Sequence, residues 1–261
     1  MVNAPVLEAS NVTMAFEAGT PREVVAFRDV SFQLHQGEII AIVGPSGCGK
    51  STLFNVIAGL LRPTSGSVRV DGTIVDGARG HIGYMLQKDL LLPWRTVLDN
   101  VTLGLEVRGT AREAARERAL SLIRRYGLAG FESARPRSLS GGMRQRVAFM
   151  RTLALDPKAI LLDEPFSALD FQTRLVLQGD VKRIIREQNK AAILVTHDIG
   201  EGIAMADRVL VLSQRPGTIK SIHEIRLGHV TDPGALRRSA EFNEYFDTIW
   251  RELDVHVEAM A

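Results

Sequence analysis

The chain has 261 residues, 45% hydrophobic and 24% charged, enough for one large domain or two small ones around a substantial core. Its 32 basic and 30 acidic residues leave a formal net charge of +2, which gives no electrostatic case for a nucleic-acid partner. A single cysteine, Cys48, excludes an intrachain disulfide, and neither a leader-like pattern at Met1 to Ser10 nor an apolar run of spanning length is present, so a cytoplasmic protein is expected.

Residues 6–36 alternate in short segments such as Val30-Ser31-Phe32-Gln33-Leu34, broken at Gly19-Thr20-Pro21, and predict an N-terminal antiparallel β subdomain. Phe16 lies here; it reads either as core or as a surface for stacking on a purine. Ile39-Ile40-Ala41-Ile42-Val43 reads as a buried parallel strand. It runs into Gly44-Pro45-Ser46-Gly47-Cys48-Gly49-Lys50-Ser51-Thr52, two glycines five residues apart with Lys and a hydroxyl residue after the second, and then a helical stretch. Glycines let the backbone approach a ligand with its N–H groups inward, and the helix N-terminus adds partial positive charge. Lys50 is placed to reach the β- and γ-phosphates of a nucleoside triphosphate, and the Ser51 hydroxyl to hold Mg²⁺. For Cys48 a small buried side chain is the plain reading and a redox role the alternative.

Ser67 to Tyr84 returns to strand character with turn signals at Asp71-Gly72 and Asp76-Gly77. Leu86 to Trp94 is an unusual loop, a polar trio at Gln87-Lys88-Asp89 followed by an apolar run closed by Pro93-Trp94; it is either buried or a docking surface for an apolar partner. Residues 97–157 are free of strand signals. Ala115, Ala119, Leu122 and Tyr126 share one helical face opposite a charged one, Gly127 ends that helix, and an inserted helical subdomain at about 88–157 is expected.

Within it, Ser140-Gly141-Gly142 at a helix start makes a second anion site from backbone N–H groups, which one nucleotide on one chain does not require. Ile160-Leu161-Leu162-Asp163-Glu164 is an apolar strand ending in two acids. Asp163 is the expected second anchor for Mg²⁺, and Glu164 the group that orients or deprotonates water. A helix from about Phe171 to Gln188, carrying Leu175, Val181 and Ile185, separates this strand from those at Ala191–Val195 and Arg208–Leu212, the alternation of an α/β fold with a mainly parallel sheet. Pro233 to Leu253 places Phe242, Phe246, Ile249 and Leu253 on one helical face, for its own domain or for a partner.

Ser138-Leu139-Ser140-Gly141-Gly142-Met143-Arg144-Gln145-Arg146 resembles the signature motif of the ATP-binding cassette family, and the other motifs fall into the same pattern from Val6 to roughly Gly217. The resemblance implies a P-loop NTPase core at residues 1–232 with a C-terminal helical extension at 233–261. It implies Gln87 as the Q-loop glutamine and a Mg²⁺ ligand, Ser167-Ala168-Leu169-Asp170 as the D-loop, His197 as the switch histidine, and Phe16 as the aromatic that stacks on adenine. It also implies two ATP molecules held between two head-to-tail copies, with Ser140, Gly141 and Gly142 of one completing the site built by Gly47, Lys50, Ser51 and Thr52 of the other. Leu92 to Val101, Ala168 to Arg174 and the Arg215-Pro216-Gly217 turn are similar to nitrate, sulfonate and taurine importers. That subgroup implies a peripheral subunit on the cytoplasmic face of the inner membrane, docked on transmembrane permease subunits and linked only indirectly to a solute-binding receptor. Exporter or lipid-extraction cassettes and non-transport cassettes of DNA repair or translation are the alternatives; the latter need coiled-coil insertions or two cassettes, for which 261 residues leave no room.

Overall fold

In the computed structural model, which describes residues 4–77, 82–227 and 236–253, two sheets and two groups of helices enclose two apolar cores. The larger sheet comes from the apolar runs. Strands β3 (Ile39–Val43), β6 (Ile82–Met85), β7 (Ala159–Asp163), β8 (Ala191–Val195) and β9 (Arg208–Leu212) are parallel, in the order β9-β3-β8-β7-β6, and β10 (Ile219–Glu224) closes the β9 edge antiparallel. Buried on both faces, β3, β7 and β8 have no reason to alternate polar with apolar. Their side chains still divide by period two: Ile39, Ala41 and Val43 enter one core while Ile40 and Ile42 enter the other.

The antiparallel subdomain holds β1 (Leu7–Phe16), β2 (Val24–Leu34), β4 (Ser65–Val70) and β5 (Thr73–Ile74), in the order β2-β1-β4-β5. The stretch from Ser67 to Tyr84 is therefore divided: its first part joins the N-terminal strands and only β6 enters the parallel sheet. The β4–β5 connection turns at Asp71 and Gly72, both with positive φ (47° and 73°), the pairing that matches strand twist in a two-residue hairpin. Helix α1 (Lys50–Ile57) lies between the two sheets, with Leu53, Phe54 and Ile57 at 0% exposure.

Between β6 and β7 the chain forms α2 (Val97–Val107), α3 (Arg112–Arg125) and α4 (Gly141–Ala154). The face of α3 falls where its periodicity puts it, with Ala115, Ala119, Leu122 and Tyr126 buried. After α3, Gly127 adopts φ 76° and Leu128 N donates to Ile123 O, the left-handed cap only glycine takes without strain. Helices α5 (Phe171–Glu187) and α6 (Ile199–Met205) cover the same side of the sheet. On α5 the inward residues are Leu177, Val181, Ile184 and Ile185, while Leu175 is only half-buried because it stands to one side of that stripe. Helix α7 (Ala240–Glu252) packs Phe242 and Ile249 into the core, with Phe246 and Leu253 partly buried beside them, so this face is used within its own domain. The first residues expected in the C-terminal extension, Pro233 to Ala235, lie outside the described residues.

Candidate active site

Parallel strands deliver their following loops to one edge, the place where open α/β sheets bind ligands. Here the adjacent strands β3, β8, β7 and β6 bring the glycine-rich loop, His197, the acid pair and Gln87 to that edge in one row. The loop is tightly supported. Gly49 precedes α1 at φ 100°, and a Cβ there would lie 2.8 Å from Ala26 O, so both conformation and space call for glycine. A Cβ at Gly44 would lie 2.9 Å from Cys48 Sγ, and Cys48 itself is buried at 1% exposure, which fits the packing role rather than redox chemistry. Ser46, Gly47 and Ser51 are exposed, Pro45 and Thr52 intermediate. Lys50 is buried and its ammonium donates to Gly44 O (2.7 Å) and Pro45 O (2.8 Å), curled within its own loop.

Asp163 ends β7 at 8% exposure. Burial, and then the neighbouring charge of Glu164, push its carboxyl above the ordinary value against the opposing hydrogen bond from Tyr84 and the Lys50 charge. The Asp163 carboxylate, the Ser51 hydroxyl and the Gln87 amide oxygen, all carried to this edge of the sheet, are an all-oxygen donor set of the kind a hard divalent cation takes. Among the described residues no group of three or more His, Cys, Asp or Glu could hold a metal ion. The donors present fit Mg²⁺ accompanying a nucleotide.

Glu164 adopts φ 44°, a left-handed conformation costly for a residue with a Cβ, held by its N–H to Val195 O at 2.9 Å. This turn brings three candidate catalytic residues together. Gln87 Nε2 donates to Glu164 Oε2 at 2.9 Å, and His197 Nδ1 is 3.3 Å from the same oxygen. His197 remains 62% exposed and Glu164 22%, so the histidine looks outward over the carboxylate.

Tyr84 had no place in the motif reading. Its hydroxyl donates to Asp163 Oδ2 at 3.2 Å and lies 3.4 Å from Asn55 Oδ1, tying β6, which leads into Gln87, to the buried carboxylate at the end of β7. Burial first, then Asp163, hold its phenol strongly protonated. The sequence shows an aromatic on a strand; only the adjacency of β6 and β7 gives it this partner.

The remaining candidates sit apart. Phe16 is 42% exposed at the end of β1, so it is not a core aromatic. Ser140 caps α4, its Oγ accepting from Met143 N at 3.3 Å, and Asp170 caps α5, accepting from Thr173 N at 3.0 Å, which with its neighbouring N–H groups holds its carboxyl below the usual range. A Cβ at Gly142 would meet Thr173 Cγ2 at 2.7 Å and one at Gly141 would meet Leu169 Cδ2 at 3.3 Å, so these glycines also let the two capped helix starts pack together. Among the described residues no hydrogen bond joins this group to the phosphate loop.

The loop after Gln87 is divided. Leu91 is buried, whereas Leu90 (52%) and Trp94 (69%) are exposed. It is held rigidly: Asn100, at 0% exposure, clamps Leu92, Arg95 and Thr96, while Arg144 and Arg151 of α4 bond Asp89 and Leu90.

The sequence model described as ABC transporter matches residues 27–167, from β2 through the acid pair to the turn after it. The chain belongs to the ABC transporter family. As a member it is an ATPase built on a P-loop NTPase α/β core. Its similar relatives include an uncharacterised ABC transporter ATP-binding protein, YtlC of Bacillus subtilis (47% identity over 89% of this chain and 90% of that protein). Taurine import ATP-binding proteins TauB of Yersinia pestis (46%, over 74% and 76%) and Burkholderia thailandensis (42%, over 87% of each) are also similar. Among solved structures, a dimeric ATP-binding cassette, MJ0796, in a post-hydrolysis state bound to ADP and Pi, superposes with a TM-score of 0.72 at 33% identity, covering 84% of this ABC ATPase and 99% of that chain. Among the described residues no helix is long and apolar enough to cross a membrane.

Proposed function

We propose that this ABC ATPase is the energy-supplying subunit of an importer for a small solute of the nitrate, sulfonate or taurine type. The observation that carries the chemistry is the convergence of Gln87, Glu164 and His197 on one carboxylate oxygen beside the phosphate loop. In this reading Glu164 takes the proton of the attacking water, Gln87 and His197 hold its carboxylate and follow the γ-phosphate, and Lys50 turns from its own loop carbonyls to the phosphates. Phe16 stacks on the adenine, and the backbone from Gly44 to Thr52 cradles the phosphates. Ser51, Gln87 and Asp163 hold Mg²⁺, which when bound neutralises phosphate charge.

Ser140 and Asp170 are exposed on this chain, with Gly141 half-buried and Gly142 buried beside them; in this reading the group serves a second copy, arranged head to tail so that each copy completes the other's site. The dimeric cassette among the structural relatives supports a second copy of the chain. Hydrolysis then removes the phosphate that joins the copies. Leu90 and Trp94 dock on a transmembrane permease at the cytoplasmic face of the inner membrane, and the Arg144 and Arg151 bonds tie that loop to the helix beginning at Ser140. The solute receptor meets the permease alone, and nucleic acid is no partner. The TauB relatives favour import and this solute class.

The test is co-purification from the native cell after gentle membrane solubilisation. A multi-span permease with a solute receptor is the expected result, and the receptor's ligand names the solute. Recovery of soluble partners alone would overturn import and leave the ATPase standing.

A further inference from the structure

Among the described residues the one ion pair or side-chain hydrogen bond of His197 is with Glu164, and the ring is largely exposed, so its position is set by the backbone of the turn that carries it. That turn is held from behind. Asp198 caps α6, with Oδ1 accepting from Glu201 N at 3.0 Å, and its Oδ2 accepts from Arg174 Nη1 at 3.3 Å. Arg174 also donates to Leu169 O at 3.2 Å, which links the turn to the residue before Asp170. Behind Asp198 lies Glu201, 3% exposed, whose Oε2 accepts from Gln178 Nε2 at 3.3 Å; the Gln178 Oε1 in turn accepts from Arg237 Nη2 at 3.3 Å.

Arg237 belongs to the segment that leads into α7. Its guanidinium lies over the Phe242 ring at 5.9 Å, and both seat on Gly200 in the first turn of α6. A Cβ at Gly200 would lie 2.8 Å from Arg237 Nη1 and 3.5 Å from Phe242 Cζ, so the glycine leaves the space that the C-terminal segment fills. Among the described residues four buried side-chain polar atoms have no hydrogen-bond partner, and three of them are Glu201 Oε1, Arg174 Nε and Arg237 Nε. A buried network left incompletely bonded loses little on rearranging, as a turn that moves during turnover requires.

We propose that the C-terminal segment is a positioning element for the histidine turn: Arg237, through Gln178 and Glu201 and by packing on Gly200, sets where His197 stands, and so governs the rate of hydrolysis rather than the affinity for nucleotide. The inference rests on His197 acting at the nucleotide. Arg237 and Gln178 are positioning residues and touch no reacting atom.

Arg237→Ala and Gln178→Leu, the second a similar-sized apolar replacement, test it in the full chain. Both should lower kcat for ATP about tenfold, since small displacements of a catalytic group cost that much or more. KM for ATP and nucleotide Kd should stay within about twofold. The His197 imidazole NMR signal, assigned by its loss in His197→Asn, should shift in both, and Arg237→Lys should recover most of the turnover. Arg226→Ala, an exposed arginine paired with Glu224, is the control and should behave as wild type. An unchanged kcat with an unmoved His197 signal in both variants would overturn the proposal. A loss of kcat matched by an equal loss of nucleotide affinity would also overturn it. If His197→Asn itself turned over ATP normally, the role given to His197 would fall instead, a result separable from the first.

Discussion

Glu164 concentrates the chemistry of the site in one oxygen. Its left-handed backbone aims the carboxylate at Gln87 and His197 and away from the sheet, at a conformational cost that the Val195 hydrogen bond offsets. Replacing it by Gln keeps the shape and removes the proposed base. Phosphate release should fall by about 10²–10⁴-fold with ATP binding retained; rapid turnover by Glu164→Gln would remove Glu164 from that role. Tyr84 acts one step back. It occupies Asp163 Oδ2 and leaves the other oxygen for a cation, and loss of such outer partners costs about 10-fold or more in metal affinity. Tyr84→Phe should therefore require about tenfold more Mg²⁺ for half-maximal nucleotide binding, read by titration, while binding without Mg²⁺ stays as in wild type.

At the scale of elements, two buried polar groups hold functional loops in place. Asn100 on α2 binds the loop that presents Leu90 and Trp94, and Asn100→Ala removes the side-chain partner of Leu92 N and Arg95 O, a loss of about 2–4 kcal/mol in urea unfolding. Glu201 on α6 behaves differently. Burial first, and Asp198 beside it, raise its carboxyl from 4.5 to about 8 against the opposing charges of Arg174 and Arg237 and a hydrogen bond with Thr196. The folded chain then keeps a proton that the unfolded chain releases, so this group makes stability fall as pH rises from about 4.5 to about 8, and adds no slope above that. Glu201→Gln should flatten the decline of Tm across that window; a slope equal to that of wild type would show that Glu201 is ionised in the fold.

For the whole molecule, the proposed function divides the active site between two copies, since among the described residues no hydrogen bond joins the Ser140 and Asp170 group to the glycine-rich loop. Glu164→Gln with ATP should migrate as a dimer in gel filtration and return to monomer without nucleotide; a monomer at saturating ATP would refute the shared site. The exposed pair Leu90 and Trp94 is the proposed contact with the permease. Leu90→Asp with Trp94→Asp should abolish recovery with the permease and leave nucleotide affinity unchanged, whereas Leu91, being buried, would report folding instead.

The phosphate loop, the acid pair, the two-face pattern of α3 and the parallel strands were legible in the sequence because each rests on local chemistry: a periodicity, a glycine conformation, or a short run with one physical purpose. The tertiary structure decided what depends on which strands lie side by side. Tyr84 meets Asp163 only because β6 pairs with β7, Ser65–Val70 leaves the nucleotide sheet for the N-terminal one, and the apolar run after Gln87 turns Leu91 in and Trp94 out. Arg174 was visible as a residue of the D-loop helix. Its bond to Asp198, like the reach of Arg237 to the histidine turn, joins positions 24 and more residues apart, and nothing in local sequence encodes such a distance.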